Sequence, residues 1–245
     1  MSLSQSQRQT IALFRDTTNC SEASAQKYLK ATRYNLEAAI DAYLRKHSTA
    51  VRVDTKQIDK IFTSYADPSS KDEITIDGTI RYLTDLEMDL EETGVLALAM
   101  QLEAPTQGTF TRSGFMKGWS ELGIGSLEGM KAHAGTLTAA LADNHGEFFR
   151  KTYLHTFTFA LTPPSRTLPL DSALVFWDLL LTNRFDRLDA WKEFLTLKGR
   201  GISRDVWNLL LEFSVQVKDL SDYNEMEAWP VVIDDFVAWC RENKR

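Results

Sequence analysis

Residues 67–78 read Asp67-Pro-Ser-Ser-Lys-Asp-Glu-Ile-Thr-Ile-Asp-Gly78, and the fold turns on how they are understood. The stretch has the outline of the loop in a helix–loop–helix calcium hand, with Ile74 in the apolar eighth place. Calcium asks for roughly six to eight oxygen ligands, several of them charged. Lys71 and Gly78 stand where ligands belong, and the turn glycine of the sixth place is missing. A second stretch, Glu103-Ala-Pro-Thr-Gln-Gly-Thr-Phe-Thr-Arg-Ser-Gly114, has Gly108 and Phe110 in the sixth and eighth places. There Pro105, Gln107 and Gly114 leave too few carboxylates. Either the hand shape persists as two paired units without metal, or these are two ordinary helix-linking loops. Both readings put helices around each loop and expect no metal.

The rest of the chain reads as helical. Apolar residues recur at spacings of three and four, which lines one face of a helix. The spacing predicts helices near 54–66, 77–87, 91–101, 112–122, 126–142, 146–161, 171–182, 188–197, 203–217 and 231–241. All six prolines fall at element boundaries. Ser203 is a candidate N-cap, and Pro230 suits a helix start, where its missing N–H costs nothing. Only residues 74–76 and 109–111 offer short strands. Residues 1–48 read as helices near 4–16, 21–31 and 35–45, with Ser21 and Asn35 as N-caps. Ile11, Phe14, Ala25, Leu29, Leu36, Ala39, Ile40 and Tyr43 supply their apolar faces. So short a segment can only just enclose a core, and three packed helices is the economical solution. The expected class is all-α: a three-helix domain over 1–48, a polar linker over 49–55, and a larger helical domain over 56–245.

The 245 residues carry 28 basic and 34 acidic side chains, a formal net charge of -6. Residues 1–48 hold +3 and residues 49–245 hold -9. Asp219, Asp222, Glu225, Glu227, Asp234 and Asp235 concentrate acid between 219 and 235, where there is no Lys or Arg. An acidic total argues against a nucleic-acid partner, which needs a basic field. No apolar run approaches the roughly 20 residues of a membrane helix, and the polar start lacks the apolar core of a secretory leader. Cys20 and Cys240 fit neither a metal-ligand spacing nor a disulfide framework, so a reducing compartment, nucleus and cytoplasm, is expected. Cys20 is expected to pack in the small N-terminal core, and Cys240 on the apolar stripe of the last helix with Phe236 and Val237. His47, His133, His145 and His155 form no close pair on one helical face. Residues 118–123 have the glycine spacing of a phosphate loop, but Ile124 stands where its lysine belongs. No nucleophile elbow is present. Neither a catalytic residue nor a cofactor is expected.

The segments around Trp207–Phe213 and Glu227–Phe236 set acids beside aromatic residues with no balancing base. A solvated acidic loop beside a core helix has this composition, and so does a docking patch for a basic partner. Acid near a helix N-terminus is also stabilising in itself, which suffices to explain Asp205 or Asp234 alone.

Four segments occur in order across nearly all of residues 56–241: Phe115-Met-Lys-Gly-Trp-Ser-Glu-Leu-Gly123, Trp177-Asp-Leu-Leu-Leu-Thr-Asn-Arg-Phe185, Trp207-Asn-Leu-Leu-Leu-Glu-Phe213 and Ala228-Trp-Pro-Val-Val-Ile-Asp-Asp-Phe236. In these the chain resembles the defective-in-cullin-neddylation family. The resemblance implies an all-helical potentiating-neddylation domain with two metal-free EF-hand-like units. It implies a ubiquitin-associated-like domain over 1–48, with residues 18–25 opening its second helix. The implied activity is that of a scaffold-type ligase for the ubiquitin-like modifier Nedd, called Rub in fungi. Such a protein binds a cullin and the modifier's conjugating enzyme together and promotes transfer to the cullin lysine. Proximity and effective concentration would carry the effect, with no covalent intermediate on this chain.

By the same resemblance, the acidic patch that docks the cullin's C-terminal winged-helix region falls on Asp205, Ala228 and Asp234. The pocket for the acetylated N-terminal methionine of the conjugating enzyme falls on Val95, Leu98, Ala99, Gln107, Phe110, Phe159, Phe176 and Leu179. Acetylation removes the amine's charge, so the end can enter an apolar cleft at low desolvation cost. Gln107 is then a candidate to bond the acetyl amide. Plain core packing would use the same apolar residues. Thr79 and Gly108 stand at pocket positions that are larger or more apolar in animal members, which alters the implied depth. No Met-Gly-Phe-type loop precedes the second N-terminal helix, and ubiquitin or Nedd/Rub stays an open partner for residues 1–48. Two rival functions remain: a ubiquitin-binding adaptor without ligase activity, led by residues 1–48, and a calcium-responsive sensor, which lacks its ligands.

Overall fold

A computed structural model describes residues 4–18, 20–47, 54–143, 146–224 and 226–244. The chain divides into two units, Met1–Arg52 and Val53–Arg245. Of the expected linker only Asp54 and Thr55 lie within the described residues, as His145 does not.

The first unit holds α1 (Gln5–Thr18), α2 (Glu22–Ala31) and α3 (Leu36–His47). Ser21 caps α2 by accepting from the Ser24 N–H, and Asn35 accepts from Ala38 at the start of α3, 3.0 Å away. Ile11, Phe14, Ala25, Leu29 and Ala39 form the core, and Cys20 is half-buried against it. Tyr43 closes this core edge-on to Phe14 and Tyr28, with ring centroids 5.6 and 5.3 Å away. A core this small leans on such aromatic contacts.

The second unit opens with two helix–loop–helix units. The first joins α4 (Thr55–Tyr65) through β1 (Glu73–Ile74) to α5 (Ile76–Asp85). The second joins α6 (Thr93–Gln101) through β2 (Phe110–Thr111) to α7 (Arg112–Glu121). β1 and β2 are antiparallel, and Ile74 faces Phe110, so the eighth residues of the two loops meet. The interior of the first loop is closed by its own side chains. The Asp67 carboxylate accepts from the Ser69 amide at 2.7 Å, the Ser69 hydroxyl at 2.5 Å and the Thr75 hydroxyl at 2.7 Å. These bonds pull its pKa down to about 2. At the twelfth places, a Cβ on Gly78 would lie 2.1 Å from the Tyr65 carbonyl oxygen, and one on Gly114 2.3 Å from that of Leu102. The carbonyl end of each entering helix therefore fills the space a ligand side chain would need. Arg112 locks the pair: it bonds Asp59, Asp72 at 3.0 Å and the Lys71 carbonyl at 2.5 Å, over the Phe62 ring.

Beyond these come α8 (Leu127–Ala140), α9 (Glu147–Ala160), α10 (Leu170–Leu181), α11 (Leu188–Lys198), α12 (Arg204–Gln216) and α13 (Val231–Asn243). Thr167–Leu168 (β3) pairs antiparallel with Ile202–Ser203 (β4) just ahead of α10 and α12. The core centres on buried indoles. Trp177 and Trp207 stack at 5.2 Å. The Trp177 indole donates to the Tyr153 hydroxyl at 3.0 Å, and that hydroxyl donates to the Trp207 carbonyl at 2.9 Å. Trp207 returns a bond to the Tyr153 carbonyl at 3.0 Å. A fully satisfied polar network of this kind fixes α9, α10 and α12 in one arrangement. Cys240 is buried in the same core, as expected.

Candidate docking sites

Helices α5, α6, α9 and α10 and the second loop leave a cavity of about 700 Å³ among them. Val95 and Ala99 face it from α6, Phe159 from the end of α9, and Phe176 and Leu179 from α10; Gln107 and Phe110 reach it from the loop. Leu98, expected with them, does not line it and lies fully buried. The helix period is the reason: Leu98 points about 100° around α6 from Ala99. The lining is predominantly apolar with few polar groups, as in sites that take an apolar ligand end.

The loop is anchored where it meets the cavity. The Gln107 N–H donates to the Phe159 carbonyl at 3.1 Å, and the Thr79 hydroxyl donates to the Gly108 carbonyl at 3.0 Å. Gly108 adopts φ +72° with Ile76 against it, so a larger residue there would meet both strain and contact. The Gln107 side-chain amide is exposed and makes no hydrogen bond among the described residues. It is free to bond a ligand at the mouth. Ile76, Ile80, Leu90 and Val175 extend the apolar surface outward as an exposed rim. The spacing of Ile76 and Ile80, one turn apart on the outer side of α5, was the only sequence signal for that rim.

The three expected patch residues sit at helix starts and on the loop between them. Asp205 lies in the first turn of α12, which Ser203 caps by accepting from Val206 at 3.3 Å. Asp234 lies in the first turn of α13, and Ala228 is exposed just before it. Lys198, at the end of α11, pairs with Asp235 at 3.0 Å, and only residues 199–202 separate it from the cap of α12. That pair brings the starts of α12 and α13 to the same end of the domain. It also offsets the charge of Asp235, while its neighbour Asp234 has no basic partner among the described residues. The Tyr223 hydroxyl donates to Asp234 Oδ1, and Tyr223 and Phe213 hold the Trp229 ring at 6.3 and 5.8 Å. Asp205 makes no ion pair or side-chain hydrogen bond among the described residues. Asp205 and Asp234 are thus two acids at helix starts with no ion pair among the described residues, and Ala228 lies exposed on the connection between those helices, groups of a kind that suit basic side chains.

The Cullin binding family matches residues 129–239, a span that encloses Asp205, Ala228 and Asp234. The UBA-like domain family matches residues 8–49. The chain is 41% identical over 233 residues to Defective in cullin neddylation protein 1 of Yarrowia lipolytica, covering 92% of this chain and 93% of that one. It is 34% identical to the protein of that name from Cryptococcus neoformans, covering 96% and 94%. The Caenorhabditis elegans protein of that name is 29% identical, covering 98% and 92%. With likeness of this extent running through both units, the chain belongs to the defective-in-cullin-neddylation family.

Proposed function

We propose that this protein promotes cullin neddylation by holding two partners at once. The cullin's winged-helix region would dock on Asp205, Ala228 and Asp234, two acids meeting lysine or arginine while Ala228 permits close approach. The conjugating enzyme would insert its acetylated N-terminal methionine into the cavity bounded by Val95, Ala99, Phe110, Phe159, Phe176 and Leu179, and Gln107 would bond the acetyl amide. Leu98 supports the wall from behind. The observation that carries the reading is that the Cullin binding match encloses the patch on a frame tied to the cavity walls. The Tyr153–Trp177–Trp207 network joins α9 and α10, which wall the cavity, to α12, which carries Asp205.

The chain then acts by orientation. Two weak contacts on one rigid body raise the effective concentration of the charged enzyme near the acceptor lysine and restrict the geometries sampled. Transfer itself needs no group from this chain. A reconstituted neddylation reaction with acetylated and unacetylated conjugating enzyme tests this. Rate enhancement should depend on both acetylation and the cavity; equal enhancement with both enzyme forms would remove the pocket from the mechanism.

A further inference from the structure

Arg166 and Arg204 are the residues immediately outside the β3–β4 ladder on its Thr167–Ser203 end. Arg200 lies two residues before β4 and directly precedes Gly201, whose Cβ position would lie 3.4 Å from the Thr167 hydroxyl. No carboxylate among the described residues pairs with any of the three, and the exposed side chains of Arg166 and Arg200 make no hydrogen bond. Helix stability gives no reason for this charge. Arg204 opens α12, where the positive end of the helix dipole disfavours a cation. It is nevertheless held firmly, donating to the Thr158 hydroxyl at 3.1 Å with its guanidinium 5.2 Å from the Phe157 ring. A hydrogen-bonded ladder, the left-handed Gly199 that ends α11 and the Ser203 cap make the corner rigid before any partner arrives. Arg204 directly precedes Asp205 of the acidic patch.

We infer that Arg166, Arg200 and Arg204 form a docking corner for an acidic segment of the same polypeptide whose basic residues meet Asp205 and Asp234. The inference rests on the docking reading above and adds that the partner surface alternates in sign. A surface of this kind recognises by both attraction and repulsion: a purely basic sequence drawn to the acids is turned away by the arginines.

The test uses the full chain and a cullin winged-helix fragment. Arg166→Glu with Arg200→Glu replaces two exposed side chains without contacts, so the fold should melt as wild type. Affinity for the fragment should fall about fivefold, the sum expected for two reversed surface charges. Arg166→Lys with Arg200→Lys should keep it. An all-basic peptide should bind the Glu variant more tightly than wild type. Unchanged fragment affinity in the Glu variant, with loss in Asp205→Ala, overturns the corner and leaves the docking reading standing. Wild-type affinity in both variants overturns the two together. A higher KM for the conjugating enzyme with unchanged fragment affinity assigns the corner to the other partner and overturns the inference as stated.

Discussion

The hydroxyl of Tyr223 donates its hydrogen to Asp234 Oδ1, joining the loop after α12 to the first turn of α13. The bond leaves Asp234 Oδ2 without a partner among the described residues and sets its direction. Tyr223 is buried among Phe213 and Trp229, so its ring is fixed by packing independent of the hydroxyl. Tyr223→Phe should therefore keep the fold while letting the Asp234 carboxylate turn. A hydrogen bond of this kind contributes about 1 kcal/mol. The expected result is roughly fivefold weaker cullin-fragment binding by calorimetry, with a melting temperature no more than about 2–4 °C lower. Equal affinity would mean that Asp234 needs no fixed orientation, or lies outside the contact.

Asp205→Ala combined with Asp234→Lys removes one acid and reverses the other. Both sit at exposed or half-exposed helix starts, so loss of dipole stabilisation and of the Tyr223 bond should together cost about 2 kcal/mol of fold stability. Cullin-fragment affinity should drop roughly tenfold or more, with parallel loss of neddylation rate enhancement. Retained affinity would sink the patch assignment.

The helices were legible because periodicity and caps point the same way: residues 112–122 and 203–217 were expected, and Arg112–Glu121 and Arg204–Gln216 are found. The β1–β2 pair was foreshadowed by apolar residues in the eighth places of two loops. β3–β4 was not, since two residues per strand show no alternation, and their pairing depends on helices far apart in sequence. Cavity residues came into view through family resemblance, since an apolar residue on a helix reads as core whether or not a void lies beside it. Leu98 shows the limit of transfer by alignment, lying one step around α6 from the lining. The rim residues Leu90 and Val175 and the partner of Asp234 carried no recognisable signal, because exposure and loop contacts are set by tertiary packing.

Gly78 and Gly114 each press against the carbonyl end of the preceding helix. Gly78→Ala places a carbon 2.1 Å from the Tyr65 oxygen, and Gly114→Ala one 2.3 Å from the Leu102 oxygen. Neither backbone atom can move without shifting a helix. Each substitution should cost about 1–3 kcal/mol, and thermal melting should fall by several degrees. Gly78→Glu, which restores a carboxylate at the twelfth place, should destabilise further and produce no calcium response. Calcium-dependent stabilisation of that variant would show that the helix can withdraw.

His133 lies edge-on to Trp119 at 5.8 Å and bonds Gln101 at 2.9 Å, and its partial burial pulls its pKa below the usual 6.5. The folded state thus binds a proton less readily than the unfolded chain. Its contribution is complete above about pH 6.5 and is lost as pH falls through the lower folded value. Partial solvation keeps the effect small, a slight fall in melting temperature between pH 7.5 and 5. His133→Gln, which keeps a donor for Gln101, should show a correspondingly smaller drop over that range. Identical drops in the two proteins would locate the acid sensitivity elsewhere.

Residues 1–48 and the docking sites belong to different units, each with its own core. Every residue assigned to the cavity and the patch lies in Val53–Arg245. A unit that encloses its own core folds without its neighbour, and removing the neighbour abolishes only what the neighbour binds. Deleting residues 1–48 should leave rate enhancement on a purified cullin within about twofold of the full chain, since no second contact to that substrate is lost. The rival in which residues 1–48 lead as a ubiquitin-binding adaptor expects complete loss. A truncated protein that keeps its circular dichroism spectrum yet gives no enhancement would therefore move the activity to the first unit and support that adaptor.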